Sequence, residues 1–183
     1  MRPNPILHRG FRCAALLLCG LFGLAPDAAD ADSLIITLDS PTVLSISDTT
    51  GSFTLVFPNF VKGTLSSLQS VTYRIQANKM AAGTVQGAVS ASLSELFPGI
   101  DLQADVDGYQ NLGKSNFGLL QEVQAGPQNI ETAPAALADK TPGTGSGDNN
   151  LDGNLTVTWR AKLTTDTAAG QNSRFLVVTL KES

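Results

Sequence analysis

The chain is poor in the residues that most catalytic and metal sites use. It has two cysteines and one histidine, and all three (His8, Cys13 and Cys19) lie close to its N-terminus. If that segment is removed, the rest has no thiol and no imidazole, which excludes disulfides, Cys/His zinc sites, Ser-His-Asp triads and Cys-His dyads. Because only carboxylates, Lys, Ser and Tyr remain for acid–base chemistry, we expect a protein that is not an enzyme.

The N-terminal residues 1–31 have the layout of a secretory signal peptide. Met1–Arg12 carries three arginines, the apolar run Cys13–Leu24 follows, and residues 29–31 supply an A-x-A cleavage site. The apolar run has twelve residues, which is too few to span a bilayer. We expect the mature chain to begin at Asp32 and to be secreted, extracellular or held in the cell envelope (periplasm or outer surface), and not to be an integral membrane protein.

The charge of the mature chain argues against nucleic acid as a partner. Removal of residues 1–31 takes away three arginines and two aspartates, which leaves nine basic and fourteen acidic side chains and a net charge of −5. An acidic chain without a cluster of Lys and Arg is poorly suited to bind nucleic acid or anionic lipid. The remaining length is sufficient for one domain with its own core, so we expect a single domain over residues 32–183.

Apolar side chains recur at every second position along much of this domain. In Leu155–Leu163 the odd-numbered residues, Trp159 among them, are apolar, whereas the even-numbered ones are Thr, Arg and Lys. Such alternation is typical of a strand with one buried face. Similar strand-like runs are Leu34–Leu38, Thr42–Ile46, Ser52–Phe57, Val71–Asn78, Val85–Leu93, Ile100–Val106 and Arg174–Leu180.

These runs predict an all-β protein. The strands are short, are separated by Gly, Pro, Asn and Asp, and have no crossover helices between them, which indicates an antiparallel sandwich or barrel of about seven to nine strands. Only Ser94–Phe97 and Phe117–Val123 are candidates for a helical turn. The Gly- and Pro-rich stretch 125–153 breaks the rhythm, and we expect a long flexible loop there.

The end of that stretch resembles the start of a calcium-binding loop. Asp148, Asn150, Asp152 and Asn154 place oxygen ligands at alternate positions of a D-x-N-x-D-G sequence. The twelfth position of such a loop is a bidentate Glu, but here it is Trp159. An Asn/Asp-Gly turn that leads into the following strand would use the same residues for backbone reasons. Both interpretations, a calcium site and a structural turn, stay open.

Two further motifs favour structural interpretations. Gly108–Ser115 matches the P-loop pattern, but the preceding run carries Asp101 and Asp105 on one face and so lacks the two buried faces that a P-loop strand has. The stripe formed by Asp101, Asp105 and Asp107 has too few aromatic neighbours for a glycosidase, and we interpret it as a solvated outer face. Trp159 has inward parity, which favours the core over a sugar-binding platform.

Three features of the chain occur together in a known group of proteins. They are the A-x-A signal peptide, the Thr/Ser-rich strand Val71–Asn78 (VTYRIQAN), and the late pair Leu155–Leu163 (LTVTWRAKL) and Ala168–Leu180 (AAGQNSRFLVVTL). In these features the chain resembles secreted bacterial β-sandwich surface proteins of the fimbrial-subunit and spore coat protein U-like kind. The resemblance covers most of the mature chain as a style of sequence. It implies an immunoglobulin-like fold and a structural or adhesive role at the cell surface, without catalytic residues.

Two functions from different classes follow from these observations. The first is a non-catalytic, secreted or cell-surface structural or adhesive protein, such as a fimbria-like subunit. Its partners would be other copies or surface proteins that bind by strand addition, and the alternating segment Asp32–Asp39 is a candidate for pairing in cis or in trans. The alternative is a carbohydrate-binding module that binds glycans, with calcium held by the 148–154 loop.

Overall fold

Residues 43–48, 51–166, 168 and 170–182 are described by a computed structural model. The expected signal peptide, the start at Asp32 and the run Leu34–Leu38 lie outside these residues, as does Thr42. The described chain forms nine strands: β1 Leu44–Asp48, β2 Gln69–Ala77, β3 Val85–Leu93, β4 Ile100–Asn111, β5 Leu119–Glu122, β6 Gln128–Ile130, β7 Ala135–Thr141, β8 Leu151–Leu163 and β9 Leu176–Leu180.

The strands form two antiparallel sheets, which confirms the predicted all-β sandwich. One sheet has five strands in the order β1-β2-β8-β4-β6, and the other has four in the order β5-β7-β3-β9. The longest strand, β8, is the centre of the larger sheet and pairs with β2 on one side and with β4 on the other. The long period-two runs therefore predicted β2, β8 and β4 of the larger sheet and β3 of the smaller one.

From β2 onward, consecutive strands lie in opposite sheets. Strands β2, β4, β6 and β8 belong to the larger sheet, whereas β3, β5, β7 and β9 belong to the smaller one. In the part of the chain that the structure describes, the one pair of sequence neighbours that share hydrogen bonds is β1 and β2. This differs from the common arrangement, in which sequential strands are neighbours in one sheet.

The core lies between the sheets and is centred on β8. Leu155, Val157, Trp159 and Leu163 are buried, whereas the intervening Thr and Arg residues remain partly exposed, as the alternation predicts. The ring of Phe53 stacks on Trp159 with 6.1 Å between the ring centroids. Trp159 is thus a core residue with inward parity.

The prediction of a strand at Ser52–Phe57 is wrong. This segment is extended but belongs to neither sheet. Phe53 and Leu55 point to the core and Val56 is exposed, so the alternation gave the correct faces. The backbone of Val56 bonds to Ser67 instead, with its N–H 3.1 Å from Ser67 Oγ and its carbonyl oxygen 2.8 Å from Ser67 N.

The prediction of a long flexible loop over 125–153 is also wrong. That stretch contains β6, β7, a 3-10 helical turn at Gly145–Gly147 and the first residues of β8. Leu137, Ala138 and Lys140 of β7 are buried. The physical reason for the error is that β7 carries a lysine at an inward position and alanines on both faces, which removes the polar–apolar contrast that marks a strand.

The two expected helical turns are not helical. Phe117–Val123 contains β5, and Ser94–Phe97 forms a bend that ends in a bridge between Phe97 and Ile100. Strand β4 continues past its predicted end to Asn111, because a bulge at Gly108, with φ at 142°, shifts the register and restores the pairing. A positive φ of this kind favours glycine.

Candidate functional site

The four candidate calcium ligands lie where β8 begins. Asp148 directly follows the Gly145–Gly147 turn, Asn150 follows it in the loop, and Asp152 and Asn154 lie on β8 with one residue between them. The structure therefore brings them into one segment. Their side chains, however, bond to different parts of the protein.

The carboxylate of Asp148 is held by two loops. Its Oδ2 accepts a hydrogen bond from Gly83 N at 2.7 Å, and its Oδ1 accepts one from Gly143 N at 2.8 Å. Lys140 Nζ lies 3.1 Å from the same Oδ1. Asp148 thus connects the β2–β3 loop, the β7–β8 loop and strand β7.

Lys140 is fully buried, with none of its side chain exposed. Its ammonium group donates to the carbonyl oxygens of Ala81 at 3.2 Å and Gly83 at 2.6 Å, in addition to Asp148. A lysine ammonium has three donors, and each of them has an acceptor here. A buried charge is tolerated when it is paired and hydrogen-bonded in this way.

This arrangement favours a structural role for Asp148. Hydrogen bonds from Gly83 and Gly143, with a smaller contribution from Lys140, hold the pKa of the Asp148 carboxyl below its ordinary value, although partial burial acts in the opposite direction. The carboxylate, of which 19% is exposed, is already neutralised by a lysine of this chain. A cation at this position would compete with that ammonium group.

The other three residues have separate contacts or lie on the strand surface. Asp152 forms an ion pair with Arg74 of β2, and Asn150 donates to Ser146 O at 2.9 Å. Asn154 lies on β8 opposite Arg74 and Gln110. Across the described ranges, no group of three or more His, Cys, Asp or Glu side chains is arranged to hold a metal ion. Calcium binding by this segment stays a prediction.

Glycines allow this end of the sandwich to pack closely. A Cβ at Gly147 would strike the side chain and carbonyl of Asn116, and one at Gly143 would lie 2.8 Å from Gly118 N. Thr144 N in turn donates to Asn116 O at 2.8 Å. These approaches explain why the 142–150 segment is rich in glycine although it is an ordered part of the fold.

The outer face of the larger sheet carries the acidic stripe. Asp107 accepts a hydrogen bond from Thr158. Asp101 accepts one from Asn129 at 3.3 Å, and Asn129 accepts from Gln103 at 2.9 Å. Gln103 accepts from Arg160 at 2.9 Å, so Arg160, Gln103, Asn129 and Asp101 form one network across β8, β4 and β6. The bond between Thr158 and Asp107 is separate from it. The sequence predicts a solvated outer face for this stripe, and the structure adds hydrogen bonds among its side chains.

The Trp and Tyr side chains are not arranged as a sugar-binding platform. Trp159 is fully buried, and its Nε1 does not reach hydrogen-bond geometry with any described group. Burial raises the pKa of Tyr73 to about 12, against a smaller lowering by the adjacent indole of Trp159. Burial likewise raises the pKa of Tyr109 to about 12, and this ring packs over Gly153. All three side chains contribute to packing between and along the strands.

The last strand, β9, is an open edge of the smaller sheet. Among the described residues it pairs with β3 alone, and its sequence Leu176–Leu180 has no charge, proline or glycine. Phe175, just before the strand, is 80% exposed, and Val177 is 49% exposed. Exposed apolar edges of this kind are templates for pairing with another strand. We call Phe175–Leu180 the β9 edge.

Exposed apolar side chains also concentrate at one end of the sandwich. This end is where Leu65 bridges to Lys162 and Phe97 bridges to Ile100, beside the C-terminal end of β8. Arg174 covers the Phe97 ring at 5.4 Å, which places Phe175 at the same end. The large exposed side chains here are Val56, Phe60, Val61, Leu65, Leu68, Leu96 and Phe175.

Comparison with known proteins leaves the family undefined. No protein-family model matches the chain, and no curated protein matches it. Over the ranges that the structure covers, no helix has the length and apolar character needed to cross a membrane. The residues themselves are therefore the basis for inferring a function.

Sequence reasoning missed two features of these sites. The buried Lys140 gives no signal by residue type, because lysine is ordinarily exposed. The β9 edge has a readable signal: within Arg174–Leu180 the residues Leu176, Val178 and Leu180 alternate with Phe175 and Val177, so one apolar set must face outward. Apolar residues on both faces of a terminal strand indicate a second contact surface.

Proposed function

We propose that this is a non-catalytic, secreted or cell-surface protein with a structural or adhesive role, comparable to a fimbria-like subunit, which associates by strand addition. The observation that carries the proposal is the β9 edge. It combines an open row of backbone groups with exposed Phe175 and Val177. Strand addition uses these two elements, since main-chain bonds give affinity and alternate side chains give specificity.

The other edge strands support this choice by contrast. Strand β6 has three residues, β5 ends in Gln121 and Glu122, and β1 carries Ser45, Ser47 and Asp48. Short or polar edges are the ordinary protection against unwanted pairing. Within the described residues the β9 edge lacks that protection, which is expected of an edge that has a partner. The carbohydrate-binding alternative gains no comparable support, because Trp159 lies in the core.

The proposal is tested on cells that export the protein. We expect the chain in the secreted or envelope fraction, beginning at Asp32, and in associated form on native gels. The double variant Phe175→Ser/Val177→Ser should lose association while its melting temperature stays near that of the parent. Leu112→Ser/Leu119→Ser, which changes two exposed apolar residues near the start of β8, at the other end of the sandwich, is the matched control and should still associate. A cytoplasmic chain that retains Met1 would contradict the proposal.

A further inference from the structure

We infer that two copies of this chain pair through their β9 strands, antiparallel about a two-fold axis at Val178, so that two four-stranded sheets become one of eight strands. The inference deepens the proposed function by naming the partner as a second copy, and it rests on that proposal for the assumption that β9 is an association edge. The direction of the β9 peptide groups and the charges at the two ends of the strand select the register.

The peptide groups that face the open edge belong to the even-numbered residues. Lys181 N donates to Ala88 O at 2.9 Å, and Ser94 N donates to Phe175 O at 2.9 Å, so the odd-numbered residues of this segment bond to β3. In an antiparallel ladder the bonding direction alternates along the strand. Leu176, Val178 and Leu180 therefore direct their N–H and C=O groups away from β3.

A two-fold axis at Val178 pairs these groups with their counterparts. Val178 lies opposite the partner's Val178, and Leu176 lies opposite the partner's Leu180. All the residues in these pairs are even-numbered, so their peptide groups face the other copy. Because Leu176 and Val178 are only partly buried within one copy, the pairing also covers apolar surface that the single sandwich leaves accessible.

The charges at the two ends of the strand favour this register. It places Arg174 opposite the partner's Glu182, and the exposed ring of Phe175 opposite the partner's Lys181. A lysine ammonium over an aromatic face is attractive. Arg174 already pairs with Glu95 of its own chain at 3.1 Å, so the partner's Glu182 would be a second carboxylate beside that guanidinium. An axis at Val177 would instead set Arg174 against the partner's Leu180 and leave Glu182 without an opposite charge. Glu182 forms no ion pair within the described part of its own chain.

The pairing has a defined consequence for assembly. An isologous contact uses the same patch on both copies and closes on itself, so it produces a dimer and not a filament. A second, different edge would be needed to build a fibre. The inference therefore predicts a discrete two-copy unit on the cell surface.

Engineered cysteines test the register, since the chain from Asp32 onward has no thiol of its own. Residues facing each other in a hydrogen-bonded antiparallel pair have Cα atoms about 5.5 Å apart, within the range a disulfide accepts. For Val178→Cys in the full exported chain we expect covalent dimers on oxidation, or with a short cross-linker that carries two thiol-reactive groups. Thr179→Cys and Val177→Cys should react roughly tenfold more slowly. In this register the Cα atom of either residue lies about 8 Å from the Cα atom of the same residue in the partner, which is too far for a disulfide.

Several outcomes of this experiment would contradict the inference. Preferential dimers of Val177→Cys would overturn the register, and equal rates for all three variants would overturn the ordered pairing. Cross-linking of Val178→Cys to a cysteine at Ile36 would assign the β9 edge to the Asp32–Asp39 segment and also overturn it. A surface-located protein that associates but never cross-links at Val178 would defeat this inference alone, whereas a cytoplasmic chain would defeat the proposed function.

Val178→Pro gives an independent check on the backbone. Its N–H faces the open edge, where proline is tolerated, so the variant should fold and remain monomeric. Phe175 N donates to Ser94 Oγ at 3.2 Å on the β3 side, so Phe175→Pro is the control that should lower the melting temperature. A Val178→Pro variant that still dimerises would contradict the pairing.

Discussion

Lys140 and Asp148 join strand β7 to the loop before β8 through an ion pair, with Nζ 3.1 Å from Oδ1. The lysine also binds the carbonyl oxygens of Ala81 and Gly83 in the β2–β3 loop. One buried side chain thereby holds three segments that are distant in sequence. The pair closes the polar end of the sandwich, opposite the end with the exposed apolar side chains.

We expect Lys140→Met to lower the melting temperature clearly. The substitution leaves the Asp148 carboxylate without its lysine and the carbonyls of Ala81 and Gly83 without their donor, and unpaired buried polar groups are costly. Lys162→Met, at an exposed position on β8, is the matched control and should have little effect. Thermal unfolding by circular dichroism measures both, and equal losses would contradict the role of the pair.

Alkaline stability should depend on Tyr73 and Tyr109. The pKa of each is raised to about 12 in the fold, above the ordinary value of 10.0. The resulting stability is present in full below pH 10 and is lost as the pH rises toward 12. Tyr73 and Tyr109 are the two tyrosines of the chain, so the ultraviolet absorbance of the phenolate form follows the titration of these two side chains. Titration of either one near pH 10 in the folded protein would contradict its burial, and Tyr73→Phe and Tyr109→Phe assign the two signals.

Trp159→Ala should destabilise the protein by about 3–5 kcal/mol, as truncation of a large buried aromatic does. The variant removes the partner of the Phe53 ring as well as the indole itself. Arg160→Ala, the next residue, breaks one partly exposed hydrogen bond to Gln103 and should cost about 1 kcal/mol or less. Urea unfolding gives both values, and losses of similar size would show that the two faces of β8 are assigned incorrectly.

Gly153→Ala should destabilise the fold by about 1–3 kcal/mol, because overpacking forces neighbours to move. The new methyl group would strike the Tyr109 ring and the carbonyl oxygen of Gln110. Gly170→Ala is the control, since no atom lies within 4 Å of its Cβ position, and it should change stability by less than about 0.5 kcal/mol. Chemical denaturation of both variants measures the difference. A neutral Gly153→Ala would mean that Tyr109 does not pack there.

Millimolar calcium should leave the melting temperature unchanged. The Asp148 oxygens are held by two backbone N–H groups and by Lys140, so binding would have to displace an ammonium group. A ligand that prefers the folded state raises its melting temperature. A calcium-dependent rise that disappears in Asp148→Ala/Asp152→Ala would support the calcium site and, with it, the carbohydrate-binding alternative.

The sequence predicted strands well where one face is buried and the other is polar. In β2 and in Leu155–Leu163 the contrast between faces is continuous, and both runs form strands. Ser52–Phe57 shows the limit of the method. Alternation indicates an extended chain with one buried side, and it does not indicate whether that chain pairs with a neighbouring strand. Phe53 is on the buried side because it packs on Trp159, yet its segment belongs to neither sheet.

The ion pair of the polar end could not be predicted, although one half of it was noticed. Asp148 stood out because its neighbours resemble a calcium loop. Its charge partner, Lys140, lies in a run of small residues that has no clear period, and Gly83 comes from a loop far away in sequence. Which groups meet at the end of a sandwich depends on the order of strands in the two sheets, and alternation within a strand carries no information on that order.

The alternation of consecutive strands between the two sheets has a consequence for folding. Strands β2 and β4 have no hydrogen-bonded contact with each other, and both pair with β8. Val71 and Val106, for example, both lie opposite Val157, so neither can pair before β8 is in place. Most native pairs thus close long loops, which slows folding. A ribosome or translocation pore that still held β8 would leave the larger sheet without its centre. We therefore expect the chain to acquire its structure in one late, cooperative step, once β8 is free to pair.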